Sequence, residues 1–327
     1  LASTSMAYIG IAGADIKAVP AWDITTGSRA NVVAITDSGV EYTHPDLSQN
    51  IWSAPSSFTV YIGGQYITCP SGSHGINVLD RPRTCDPMEY NNHHGTFVSG
   101  VVGALGNNSV GVTGVDWIAS MMIAKWIGPS GGGNTSDAID AVDFVIQAKR
   151  TFWSGANVRV INASWRIGSF SQALLDEVNW AATNDILFVA AAGNYSSDND
   201  RYPVYPANYN VSNVVSVAAT DNRDQLWSSS DYGATTVHLG APGVNVYSTM
   251  LNKSYYVGGG WYGTGTSAAA PQVSGTAALV LAHCPALSTS DVKAAILNNV
   301  DPITSLYGKT ITGGRLNANR AVRSCTP

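Results

Sequence analysis

The chain alternates short, continuously apolar runs with segments of helical period, and this pattern restricts the fold more than any other feature. Asn31–Thr36 (NVVAIT), Ser120–Ile127 (SMMIAKWI), Val158–Ala163 (VRVINA), Ile186–Ala191 (ILFVAA) and Val214–Ala219 (VVSVAA) lack inside–outside alternation. Such runs mark strands buried on both faces. Between them, Thr135–Arg150 sets Ala138, Ile139, Val142, Val145 and Ile146 on one helical face behind a Thr/Ser/Asp start. Ser171–Thr183 does the same with Leu174, Leu175, Val178, Ala181 and Ala182. The pattern predicts an α/β fold: a mostly parallel central sheet with helices on both faces. Ligands of such sheets bind beyond the carboxyl ends of the strands, where Asp37, Ser164 and Asn194 are expected to emerge.

With 327 residues, 45% of them hydrophobic, the chain can bury one large core. No repeat or composition shift divides it, so a single domain over 1–327 is expected. A net charge of −5 and 12% charged residues argue against a nucleic-acid partner. No apolar run reaches the roughly 20 residues that would span a membrane. Residues 51–92 hold Cys69, Cys85, Pro55, Pro70, Pro82 and Pro87 and read as a long irregular insertion on the surface, stapled by a disulfide. The four cysteines match no zinc pattern. Proximity in sequence favours Cys69–Cys85 and Cys284–Cys325 among three possible pairings, and the first loop would contribute about 3 kcal/mol in the chain-entropy model. Two disulfides would imply an oxidising, extracellular location. The start at Leu1 lacks signal-peptide character, so a secreted protein would be present here in processed form.

Three segments carry chemistry: Asp37-Ser38-Gly39 at a strand end, His94-Gly95-Thr96 before an apolar helix, and Gly263-Thr264-Gly265-Thr266-Ser267 before another. A serine hydroxyl becomes a useful nucleophile when a neighbouring base takes its proton, and that base needs a third group to fix its tautomer. His94 can be the base and Asp37 its partner. Ser267 at a helix N-terminus would have backbone N–H groups beside it to hold an oxyanion.

The segments DSG, HGTFVSG and GTGTSAAAPQVSG resemble the three signature blocks of the subtilase family, the subtilisin-like serine proteases. The similarity runs from about Ala21 to Ala321, apart from the insertion. It implies a secreted serine endopeptidase, of the kind made by bacteria, acting on protein and peptide substrates as a monomer after release from its own N-terminal propeptide. In that frame Ser267 is the nucleophile, His94 the general base and acid, and Asp37 the residue that orients His94. His93 is a rival base, but Gly95-Thr96 follows His94, and His93 stands where the family usually has Gly. Ala191-Ala192-Gly193-Asn194 resembles the oxyanion block, with Asn194 as donor; the related sedolisins place Asp there.

The resemblance also implies two substrate edges, Ser164-Trp165-Arg166 and Gly131-Gly132-Gly133, with Ala192 and Gly193 nearby. Arg166, where the family favours Gly, is expected to narrow the S1 pocket or to bring charge to it. Ala268 replaces the usual Met after the nucleophile, which predicts tolerance of peroxide. A structural calcium ion is implied at Asp46 and the loop Gly106–Val112, with oxygens from Asn108, Gly106, Val110 and Val112 and a further N-terminal ligand. A second, weaker cation site is implied near Ala207, Tyr209 and Asp221. Several Asn-x-Ser/Thr sequons occur, Asn162 and Asn194 among them, and a glycan on Asn194 would block the oxyanion hole, which favours a source without N-glycosylation. A catalytically silent binding module and an esterase are the alternatives.

Overall fold

The five apolar runs lie side by side as strands. The structure is a computed structural model that describes residues 10–152, 155–256 and 263–326. The runs form β1 (Val32–Asp37), β5 (Met121–Lys125), β6 (Val158–Ala163), β7 (Leu187–Ala191) and β8 (Val214–Thr220). With β4 (Gly75–Asn77), β9 (Leu239–Pro242), β12 (Asp301–Pro302) and β13 (Gly314–Arg315) they make a nine-stranded sheet in the order β12-β13-β9-β8-β7-β6-β1-β5-β4. Every pairing in it is parallel except β12 with β13. The register sets Asp37 opposite Lys125 on one side of β1 and Ile35 opposite Asn162 on the other.

Helices cover both faces. One face packs against α3 (Thr135–Thr151) and α4 (Gln172–Thr183), with Ala138, Val142, Phe144, Leu174 and Val178 in the core. The other packs against α2 (His94–Gly103) and α5 (Thr266–His283), with Phe97, Val98, Val273, Ala277 and Val280 in the core. Helix α5 is buried from Ala268 to Leu281, so its sequence is apolar all round instead of striped. Of the predicted inward faces, Ile139, Leu175 and Ala182 are only partly buried, while Ala141 and Phe144 go fully inward. Ser171 caps α4 by accepting from the Leu174 N–H.

The segment read as irregular holds regular structure. A hairpin joins β2 (Phe58–Ile62) to β3 (Gln65–Cys69), with Phe58, Val60 and Ile62 inward and Thr59 and Tyr61 outward. That period of two is the ordinary strand signal, overshadowed in the sequence by the surrounding prolines. The short β4 extends the main sheet beside β5. Disulfides join Cys69 to Cys85 and Cys284 to Cys325. Among the described residues no helix is long and apolar enough to cross a membrane.

Candidate active site

Asp37 is the last residue of β1 and fully buried; its Oδ1 lies 2.7 Å from His94 Nδ1. The Ser38 N–H donates to the same oxygen at 2.7 Å. His94 opens α2, and Gly95 beside it is obligatory: a Cβ there would fall 2.0 Å from the Gly39 carbonyl. Burial disfavours the imidazolium, but the charge and hydrogen bond of Asp37, with Glu89 behind, outweigh it and raise the His94 pKa above the ordinary histidine value. His93 precedes the helix at φ 71°, in the left-handed region that glycine adopts most readily.

Ser267 sits in the first turn of α5. Pro271 has no N–H for the Ser267 carbonyl, and the Ser164 hydroxyl donates to that carbonyl instead, at 3.1 Å. In return the Ser267 hydroxyl donates to the Ser164 carbonyl at 2.9 Å. The nucleophile candidate is therefore turned toward Ser164, not toward His94. Asn162 donates to Ser164 Oγ at 3.0 Å and Ser274 donates to Asn162 Oδ1 at 2.8 Å, so Ser164 is held from beneath.

Asn194 follows β7. Its Oδ1 accepts from the Thr266 N–H at 2.9 Å and from the Thr266 hydroxyl at 2.8 Å, which leaves its NH2 to face the cavity. Thr266 Oγ1 also accepts from the Gly193 N–H at 3.1 Å. Gly193 has φ 118°, and a Cβ there would collide with Asp231. Asp231 in turn accepts from the N–H groups of Tyr195 and Ser197, fixing the loop beyond Asn194.

A cavity of about 450 Å³ joins these residues: His94, Ser267, Thr266, Asn194, Gly193, Ser164, Arg166 and Gly131–Gly133 line it. Trp165 touches it but is 7% exposed; its indole N–H donates to Thr36 Oγ1 and its ring packs edge-on against Trp126. Its bulk thus goes into the core. Arg166 is exposed, and its guanidinium lies 3.8 Å from the centre of the Tyr195 ring. Ala192 is fully buried and lies behind the surface. Sequence reasoning missed Trp126, Ile127 and Tyr195 in the lining, the clamp by Thr266, and Glu89 beneath Asp37.

The sequence profile of the subtilase family matches residues 28–321. The chain belongs to the subtilase family, the subtilisin-like serine endopeptidases. It is 34% identical over 302 residues to the thermophilic serine proteinase of Bacillus sp. (strain AK1), covering 92% of this chain and 64% of that protein. It is 32% identical to thermitase of Thermoactinomyces vulgaris, over 94% of each chain. Against subtilisin Savinase of Lederbergia lenta it is 35% identical over 301 residues, 91% of this chain and 92% of that one.

The subtilase resemblance also implied cations, and the loop 105–112 does gather at Asp46. Asn108 donates to Asp46 Oδ1 at 2.6 Å and the Val112 N–H to Oδ2 at 2.9 Å. Asp46 is fully buried and has no ion-pair partner among the described residues. A buried carboxylate with no cation beside it is hard-oxygen chemistry that would suit a calcium ion. Here, however, both its oxygens accept N–H donors and the Asn108 amide oxygen accepts from the Val110 N–H at 3.0 Å, so a bound ion would require that amide to turn over. Among the described residues no group of three or more His, Cys, Asp or Glu could hold a metal, so the remaining ligands would be carbonyls. The expected N-terminal ligand falls on residues 1–9, outside the described residues. At the second implied site, the Asp221 carboxylate caps its own turn through the Arg223 and Gln225 N–H groups, and Tyr209 donates to the Ser171 carbonyl. Among the sequons, that at Asn162 is fully buried and closed to a glycan.

Proposed function

We propose that this single-domain chain is a secreted endopeptidase that cleaves peptide bonds through an acyl-enzyme at Ser267. The observation that supports it is the 2.7 Å contact of Asp37 with His94 in one cavity wall with Ser267 and Asn194. With Asp37 holding Nδ1–H, the His94 lone pair is on Nε2, the correct tautomer for a base. When a peptide carbonyl arrives, the Ser267 hydroxyl exchanges the Ser164 carbonyl for His94, gives up its proton and attacks. The Asn194 NH2 and the Ser267 N–H, unpaired in the first helical turn, then receive the developing oxyanion. His94 returns the proton to the leaving amine, and water completes the cycle by the same steps. The extended substrate lies between Ser164–Arg166 and Gly131–Gly133 as an added strand.

Two disulfides suit an oxidising, extracellular setting, with maturation from a propeptide and action as a monomer. Calcium at Asp46, Asn108, Gly106, Val110 and Val112 would be structural: it would brace a loop and take no part in the chemistry. An organophosphate is expected to label Ser267 stoichiometrically and to stop casein hydrolysis. Labelling elsewhere, or hydrolysis that survives Ser267→Ala, would overturn the reading.

A further inference from the structure

Glu89 is a single acid five residues before His94, with nothing in its sequence setting to mark it. It is 2% exposed, and no Lys or Arg pairs with it among the described residues. A buried carboxylate must be met by donors, and here they come from both halves of the catalytic pair. Ser38, directly after Asp37, donates its hydroxyl to Glu89 Oε1. Thr96, two residues after His94, donates its N–H at 3.0 Å and its hydroxyl at 2.6 Å to Oε2.

The bonds continue outward. The Gly95 N–H donates to Ser38 Oγ at 2.9 Å, and the Glu41 N–H donates to Thr96 Oγ1 at 2.9 Å. The Glu89 N–H itself bonds the Val40 carbonyl at 3.2 Å. His93 gives α2 no side-chain cap, so Glu89 satisfies an N–H of the first turn from outside the helix. We propose that Glu89 is a positioning residue: a carboxylate clasp that fixes the turn after β1 against the start of α2, and so fixes Asp37 against His94. The inference rests on the catalytic reading above and names a further member of that site.

The charged groups around the clasp are Asp37 on β1, His94 on α2, Lys125 at the end of β5, and Asp80 and Asp86 near Lys125. Lys125 directs its ammonium to the Met88 carbonyl at 2.6 Å. Burial above all, with the Asp37 charge, pushes the Glu89 carboxyl up, and the Ser38 and Thr96 hydrogen bonds oppose this. The negative charge of Glu89 stabilises the His94 imidazolium, so removing it moves the acid limb of kcat/KM to lower pH.

The test compares Glu89→Gln, Glu89→Asp and Ser38→Ala with the parent protein on one peptide substrate, with melting temperature measured alongside. Glu89→Gln is expected to lower kcat on the order of tenfold at nearly constant KM, to slow organophosphate labelling equally, and to shift the acid limb down. Glu89→Asp keeps the charge but shortens the reach, so it should hold the acid limb and still lose turnover. If Glu89→Gln does not fold, Ser38→Ala, which breaks one arm of the clasp, must lower kcat. A folded Glu89→Gln with parental kcat and acid limb, even at a lower melting temperature, would reduce Glu89 to a structural role and overturn the proposal. If the parent protein neither hydrolyses casein nor labels at Ser267, the catalytic reading falls and the clasp with it.

Discussion

The two ends of a carboxamide are alike in shape and opposite in chemistry, and at Asn194 a threonine chooses between them. Both Thr266 donors hold Oδ1, so the NH2 is left for the cavity. Asn194→Ala should therefore lower kcat by about 10²–10³ with little change in KM, because the bond forms only to the oxyanion. Thr266→Val keeps the shape and deletes the hydroxyl, and should reproduce part of that loss in kcat. Steady-state kinetics on a peptide substrate decide; a parental kcat in Asn194→Ala would remove Asn194 from the oxyanion role. That Asp37, His94, Asn194 and Ser267 come together was expected from the sequence because each sits in a short contiguous block. The parts of Thr266 and Glu89 were not, since Asn194 lies 72 residues from Thr266 and Ser38 lies 51 from Glu89, and no local pattern encodes such hydrogen bonds.

At the scale of elements, the sequence showed what depends on period and hid what depends on pairing. Strands β1 and β5–β8 are mostly apolar, with no inside–outside alternation, because both faces are covered, and they were read directly. The two-residue strands β12 and β13 are too short for any period to register. Helix α3 was found, but Asp137 and Asp140 lie buried on it, which an apolar-face reading excludes. The resolution lies in the 51–92 segment: Arg81 pairs with Asp137, and Arg83 with Asp140, the latter with both side chains at most 10% exposed. That segment is thus joined to α3 by charge as well as by the inward Phe58, Val60 and Ile62, while Cys69–Cys85 staples the segment to itself. Arg83→Ala would strand the buried Asp140 carboxylate and should cost about 3–5 kcal/mol, or roughly 4–7 °C in melting temperature for a chain of this length. Arg83→Ala combined with Asp140→Leu should recover most of it. If the single change melts with the parent, the pair does not anchor the segment.

For the molecule as a whole, the candidate residues share one end of the sheet, while Asp46 lies where the end of α2 returns. The Leu105 N–H, two residues past α2, bonds the Asp46 carbonyl at 2.8 Å, and His44 Nε2 lies 3.1 Å from the carbonyl of Ser254, in the strand Ser254–Tyr256. Three distant stretches of chain therefore meet around Asp46, whose carboxylate has hydrogen-bond donors but no ion-pair partner among the described residues. An ion bound there only in the folded state stabilises it by mass action, by about 2.7 kcal/mol when free calcium is a hundred times its dissociation constant. With unfolding entropy scaling with chain length, that corresponds to a rise in melting temperature of about 4 °C between chelator and saturating calcium. Asp46→Ala should remove the calcium dependence, and turnover well below the melting temperature should be indifferent to chelator, because the ion touches no reacting atom. A melting temperature independent of calcium in the parent protein would mean that the donors of Asn108 and Val112 suffice for Asp46 by themselves.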